Sequence, residues 1–187
     1  MAIGIGIGLG RFPLDRGPDY FKWIAQCETG GIDSIWQTDR LISKEPNLET
    51  LSTMAALAGA TEKIRFGMNV ASIALRDPLL TAKQCATIDF LSGGRLLPAF
   101  GIGSALSRDY SATGTPTKGR GKKADEALHL LQQLWTKDEV SFEGEYFQYD
   151  RASISPKPAN PRLPLWIGGT SQAAIERTAR VGTGWLA

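Results

Sequence analysis

Four short polar segments are candidates for chemistry, each following an apolar run: Thr38-Asp39-Arg40, Asn69-Val70-Ala71-Ser72, Gly101–Ser107 and Gly168-Gly169-Thr170-Ser171. Asp39 and Arg40 read either as a polar pair aimed at a ligand or as a surface pair closing a strand. Gly168–Ser171 leads straight into helix-type sequence. Free backbone N–H groups, two hydroxyls and a helix dipole would make an anion seat there, and a plain N-cap at Thr170 or Ser171 is the alternative. Lys118, Arg120, Lys122 and Lys123 cluster around Gly119 and Gly121. That run reads as a solvated loop, or as a cluster that draws in a phosphorylated cofactor. Lys122 and Lys123 beside a helix start oppose its dipole, and Asp125 and Glu126 offset them.

The parts for other chemistries are missing. His129 is the only histidine, and it sits among Leu128, Leu130 and Leu131. The two cysteines, Cys27 and Cys85, are far apart and flanked by helix-type sequence. Zinc sites and Ser-His or Cys-His nucleophiles therefore have nothing to be built from, and no metal is expected. A redox protein whose cofactor carries the hard chemistry fits that inventory. Two glycine-rich segments fail the dinucleotide pattern. Gly4–Gly10 leads to Phe12-Pro13 rather than a helix, and Leu106 stands where Gly101-Ile102-Gly103 would need a third glycine. Glycines along one strand face are better read as letting a flat ligand or a neighbouring side-chain layer come close.

The elements that must position these residues repeat. Strand-like segments at Ile3–Leu9, Asp33–Thr38, Lys63–Val70 and Arg95–Ile102 start about 30 residues apart, and a barrel of ~250 residues divided into eight units gives about 31 per unit. Helix-like stretches lie between them: Asp19–Thr29, ending on Gly30-Gly31; Leu48–Ala60; and a third opened by Asp77-Pro78 and running to about Phe90. A long polar loop, Gly103–Lys123, precedes a helix at Asp125–Trp135 and a hairpin within Glu139–Asp150. After a proline-rich link the rhythm returns with strand Leu165–Ile167, helix Ser171–Val181 and strand Trp185–Ala187. Alternating strands and helices with short links argue for parallel pairing.

The expected fold is thus α/β, a (β/α)8 TIM barrel with about six of its eight strands in this chain. It forms one domain over 1–187, incomplete at the C-terminus, with an insertion over about 103–163. In such a barrel chemistry gathers at the C-terminal strand ends, so Asp39, Asn69, Ser107 and Gly168 are expected around one concavity. A six-strand arc leaves two edges unpaired, so the chain reads as truncated. The net charge of +2 is too small for a nucleic-acid surface. No signal peptide or membrane-length apolar run is expected, and a cytoplasmic homo-oligomer is anticipated.

The order and spacing of several segments resemble the luciferase-like family of flavin and deazaflavin oxidoreductases. They are Gly31–Arg40 (GIDSIWQTDR), Glu49–Thr61 (ETLSTMAALAGAT), Lys63–Gly67, Asp77–Arg95, Pro164–Gly169 and Gly182–Trp185. The resemblance implies a barrel binding FMN, or alternatively coenzyme F420, at its C-terminal face. Asp39 and Arg40, the implied catalytic pair, would lie near the ring. Asn69-Val70 would hold a bulge, often with a non-proline cis peptide, behind it. Ser104 and Ser107 would line the cofactor's polar edge, and Gly168, Gly169 and Thr170 its ribityl-phosphate side. It implies a monooxygenase using reduced FMN and O2 on a small organic substrate, with a separate flavin reductase as partner. The alternatives are F420-dependent hydride transfer and a non-catalytic barrel acting as a binding module. Three departures stand out. Many relatives carry His where Arg40 stands, the catalytic His of the light-emitting luciferases has no match, and Pro98 interrupts the fourth strand. Phosphate-binding loops after the last barrel strands would lie beyond Ala187.

Overall fold

The computed structural model describes residues 3–9 and 16–187; Gly10 and Phe12-Pro13 lie outside them. The elements are β1 (Gly6–Leu9), α1 (Gly17–Thr29), β2 (Ser34–Gln37), α2 (Thr50–Ala60), β3 (Arg65–Met68), β4 (Ala71–Ser72), α3 (Pro78–Ser92), β5 (Leu96–Leu97) and β6 (Ala99–Gly101). They continue with α4 (Arg108–Ala112), α5 (Arg120–Thr136), β7 (Val140–Glu143), β8 (Gln148–Ala152), β9 (Trp166–Gly168), α6 (Gln172–Val181) and β10 (Gly184–Leu186).

The helices begin where local chemistry allows. Asp77 accepts the Leu80 N–H at 2.8 Å with Pro78 at the first helical position, and α3 ends on Gly93 in the left-handed region (φ 66°). Two expectations for the insertion need correction. The segment read as a loop over Gly103–Lys123 contains α4, and α5 starts at Arg120 rather than Asp125, from Gly119 at φ 77°. Glycine can take that conformation without strain, and it turns the chain into the helix early. The basic cluster thus falls largely in the first turn of α5. There Lys122 lies 3.7 Å from Glu145, and the Lys123 ammonium lies over the Phe147 ring. The hairpin forms as expected, and the Glu126 carboxylate accepts the backbone N–H groups of Glu145, Tyr146 and Phe147 at its turn.

All barrel-type strands pair in parallel, in two ladders, β1-β2-β3-β5 and β10-β9-β6-β4. These are one arc. β3 and β4 are halves of one strand interrupted at Asn69-Val70, and β5 and β6 are halves of the next, interrupted at Pro98. Phe66 pairs with Leu96 and Ala71 with Phe100. The third strand therefore spends one more residue than the fourth between pairings, which is the signature of a bulge. Pro98 has no N–H to give, but its carbonyl accepts the Trp166 N–H at 2.9 Å where β9 begins. The arc thus runs β1, β2, β3/β4, β5/β6, β9, β10, with one neighbour each for β1 and β10 among the described residues.

Helices cover the outer face, where Ile35, Phe66, Met68, Leu96, Phe100 and Ile167 are fully buried with Cys85, Leu130 and Leu134. The inner face is built differently. Trp36 and Trp166 meet edge to face with centroids 5.4 Å apart. A Cβ on Gly6, Gly67 or Gly184 would run into one of these indoles. At these three positions the space a side chain would fill is taken by an indole. Among the described residues no helix is long and apolar enough to cross a membrane.

Candidate functional site

The C-terminal ends of β2, β4, β6 and β9 carry the four segments singled out in the sequence. The bulge at Asn69-Val70 has a cis peptide bond, as the resemblance implied. Its position is set from both sides. The Asn69 N–H donates to the Gln37 carbonyl at 2.8 Å. Val70 leans over β6 and β9: a Cβ on Gly168 would stand 2.6 Å from Val70 Cγ1, and one on Gly101 2.8 Å from Cγ2. Gly101 and Gly168 are therefore required where they are, because any larger residue would displace the bulge. The Asn69 amide reaches to 4.0 Å from where a Cβ on Gly8 would stand.

Asp39 and Arg40, read as a pair aimed at a ligand, have separate roles. The Asp39 side chain is 4% exposed. Its Oδ1 accepts from Arg76 Nη2 at 2.8 Å and its Oδ2 from the Ser72 N–H at 3.0 Å. Both oxygens are spent on holding the chain beyond the bulge. Arg76 also reaches Glu49 at 3.4 Å, the N-cap of α2, whose carboxylate accepts the Leu51 and Ser52 N–H groups. Burial tends to raise the Glu49 pKa, but those N–H groups and Arg76 outweigh it and hold the pKa below the usual value. Arg40 is exposed and lines a cavity of about 460 Å³ with Lys44 and Arg108 among others.

The loop after β6 turns at Gly103 (φ 65°), where a Cβ would stand 2.8 Å from Ser72 Oγ. The Tyr110 hydroxyl donates to the Ile102 carbonyl beneath it, and burial raises the pKa of that phenol against the opposing effect of Arg120. Ser104 and Ser107 both serve local turns. Ser104 Oγ accepts the Leu106 N–H at 3.2 Å, and Ser107 Oγ accepts the Asp109 N–H at 3.2 Å as the cap of α4. Each hydroxyl keeps its own proton to donate. After β9, Gly169 (φ 124°) donates to the Leu186 carbonyl at 3.0 Å, Thr170 is exposed, and Ser171 caps α6 through the Ala174 N–H at 3.3 Å. The first N–H groups of a helix have no intrahelical partner, so the turn offers donors beside the exposed Thr170 side chain.

Asn69, Val70 and Gly168 thus meet at one end of the arc, and Asp39 is tied to the same bulge through Ser72. Ser104 and Ser107 lie in the loop after β6, and Thr170 in the turn after β9. Sequence reading missed Arg76, Lys44, Arg108 and the Trp36–Trp166 pair. Arg76 carried a usable signal, an arginine directly before the Asp77-Pro78 helix start. A second groove of about 400 Å³ between α1 and α2 is lined by Tyr20, Phe21 and Ser52 among others and meets this network only at Glu49.

A parallel arc with its polar residues at one end and a cis bulge on its third strand fits the luciferase-like barrel that the resemblance implied. The chain belongs to that family: residues 14–187 match the model of the luciferase-like monooxygenases. An uncharacterized protein of Mycobacterium tuberculosis is 35% identical over 143 residues, covering 76% of this chain and 48% of that protein. The F420-dependent glucose-6-phosphate dehydrogenase of Amycolatopsis mediterranei is 28% identical over 176 residues, covering 90% of this chain and 52% of that enzyme. Among solved structures, an F420-dependent secondary alcohol dehydrogenase in complex with an F420-acetone adduct superposes with a TM-score of 0.86 at 25% identity. The match covers 99% of this chain and 58% of the dehydrogenase. The chain spans about half the length of the curated relatives it matches.

Proposed function

We propose that the protein is an oxidoreductase that holds a flavin-type cofactor at the C-terminal mouth of the barrel. The observation that carries this reading is the seat of Val70. Glycines at 101 and 168 leave room for the bulge to project from the inner wall, and the turn directly after Gly168 offers an anion seat. The residues fit the group. Asn69-Val70 would support one face of a planar ring, Ser104 and Ser107 would donate to its polar edge, and Gly168, Gly169 and Thr170 would take its phosphate. Asp39 acts at one remove, holding Ser72 and with it the bulge; Arg40 faces the substrate side. When bound, the group supplies two-electron chemistry: reduced FMN delivers it to O2 for oxygenation of a small organic substrate, and F420 exchanges hydride with substrate directly. The FMN reading takes a separate flavin reductase as partner. The F420 reading is supported by the name of the Amycolatopsis relative, which matches over 90% of this chain.

Titrating the purified protein with FMN and with F420, followed by absorbance and fluorescence quenching, tests the proposal. One of the two should bind. Gly168→Val, which moves Val70, should weaken that binding by about tenfold or more. If neither cofactor binds a folded protein, the proposal is wrong.

A further inference from the structure

Beside the end of β2 lies a cavity of about 460 Å³, within the size range of small-ligand sites. Its wall carries Arg40 and Lys44 from the β2–α2 loop and Arg108 from the start of α4. All three are exposed, and none has a carboxylate partner among the described residues, whereas Arg76, Arg151, Arg177 and Arg180 all do. Glu45 lines the same cavity but already has a partner. The two loops are fastened together, since Asp109 Oδ1 accepts the Ile42 N–H at 2.8 Å and Asp109 is only 8% exposed. That bond fastens the two sides of the cavity, whose wall carries three cations against the single carboxylate of Glu45.

We infer that this cavity recognises an anionic group, a phosphate or carboxylate, on the substrate, with Arg40, Lys44 and Arg108 as its specificity determinants. The inference rests on the cofactor reading above. Two guanidinium forks and an ammonium around one hollow suit planar or tetrahedral oxyanions, which relieve their mutual repulsion. The anion belongs to the substrate rather than the cofactor because of where the cavity lies. Two of its three cations, Arg40 and Lys44, follow β2, which the β3/β4 and β5/β6 strands separate from β9 in the arc. A cofactor phosphate held at Gly169–Thr170 leaves the cavity at β2 for a second, independent anion.

Calorimetric titration of the purified protein at low ionic strength tests this, using inorganic phosphate and succinate as probes and glycerol as the neutral control. Arg108→Gln and Lys44→Gln are the variants, both at exposed side chains, with circular dichroism as the check on folding. At least one anion should bind and glycerol should not. Each substitution should weaken the anion by about fivefold or more, while the affinity for FMN or F420 changes less than about twofold. Anion binding should persist with cofactor bound. Failure of both anions to bind a protein that binds cofactor overturns the inference and leaves the cofactor reading standing. Competition between anion and cofactor, or cofactor affinity lost in Arg108→Gln, assigns the cations to the cofactor's own tail and also overturns it. A protein that binds anion but no cofactor overturns the substrate assignment together with the reading it rests on.

Discussion

Replacing Asp39 by alanine tests how the bulge is held. The substitution strands two groups at once, the Ser72 N–H and one arm of Arg76. An orphaned buried amide costs about 1–3 kcal/mol, and breaking a buried ion pair from one side costs about 3–5 kcal/mol. Here the pair is not sealed. The Arg76 side chain is 15% exposed and keeps Glu49 at 3.4 Å, which discounts the ion pair to about 2 kcal/mol and, with about 1 kcal/mol for the amide, gives about 3 kcal/mol in all. For a chain of this size each kcal/mol moves Tm by about 2–4 °C, so the loss should be roughly 6–12 °C. Asp39→Asn keeps an acceptor for Ser72 and loses only the charge, and should cost about half as much. Urea and thermal melts of both variants give the numbers. A double-mutant cycle with Arg76→Gln should return a coupling of about 1 kcal/mol or more. An Asp39→Ala protein within about 1 kcal/mol of wild type, or a cycle with no coupling, would refute the assignment of Asp39 as the anchor of the bulge.

Gly168→Ala places a methyl 2.6 Å from Val70 Cγ1 and should destabilise by about 1–3 kcal/mol; adding Val70→Ala should recover most of the loss in the same melts. Glu49 has its pKa lowered in the folded state, so its cap contributes stability above the unfolded value and loses it as pH falls through the folded one. The gap between wild type and Glu49→Gln, about 0.5–1 kcal/mol at neutral pH, should therefore close on acidification below about pH 4.5, as denaturant melts at stepped pH would record. Burial pushes the Cys85 thiol up to about 12 and raises that of Cys27, so at pH 8 neither should react with a thiol reagent until denaturant is added. A thiol titrating rapidly in the native protein would contradict their placement in the core.

Much of this protein could be read along the chain. The 30-residue rhythm, the parallel order of strands, the hairpin and the break at Pro98 all follow from local pattern, because apolar periodicity, caps and turn residues act over a few neighbours. The candidate site was legible as a set of strand ends, since the barrel's handed winding brings those ends to one side. Two short-range features escaped. α4 and the early start of α5 sit in a polar, glycine-rich stretch whose composition suggests a loop, and Gly119 reverses that reading only by its backbone conformation.

What tertiary structure alone decided is which groups meet. Asp39 read as one of two polar residues, with Arg40, aimed at a ligand or closing a strand at the surface. Its partner, Arg76, lies a full βα unit away and becomes adjacent only when β2 and the β3/β4 strand stand side by side. The strand glycines announced that something comes close without saying what. Register and curvature place Trp36, Trp166 and Val70 there, at distances no sequence window contains. The same holds for Lys44 and Arg108, each unremarkable in its own loop, which share one cavity because a single hydrogen bond from Ile42 to Asp109 fastens those loops together. Local propensity is written in neighbouring residues, whereas side-chain encounters across strands depend on how the whole sheet closes.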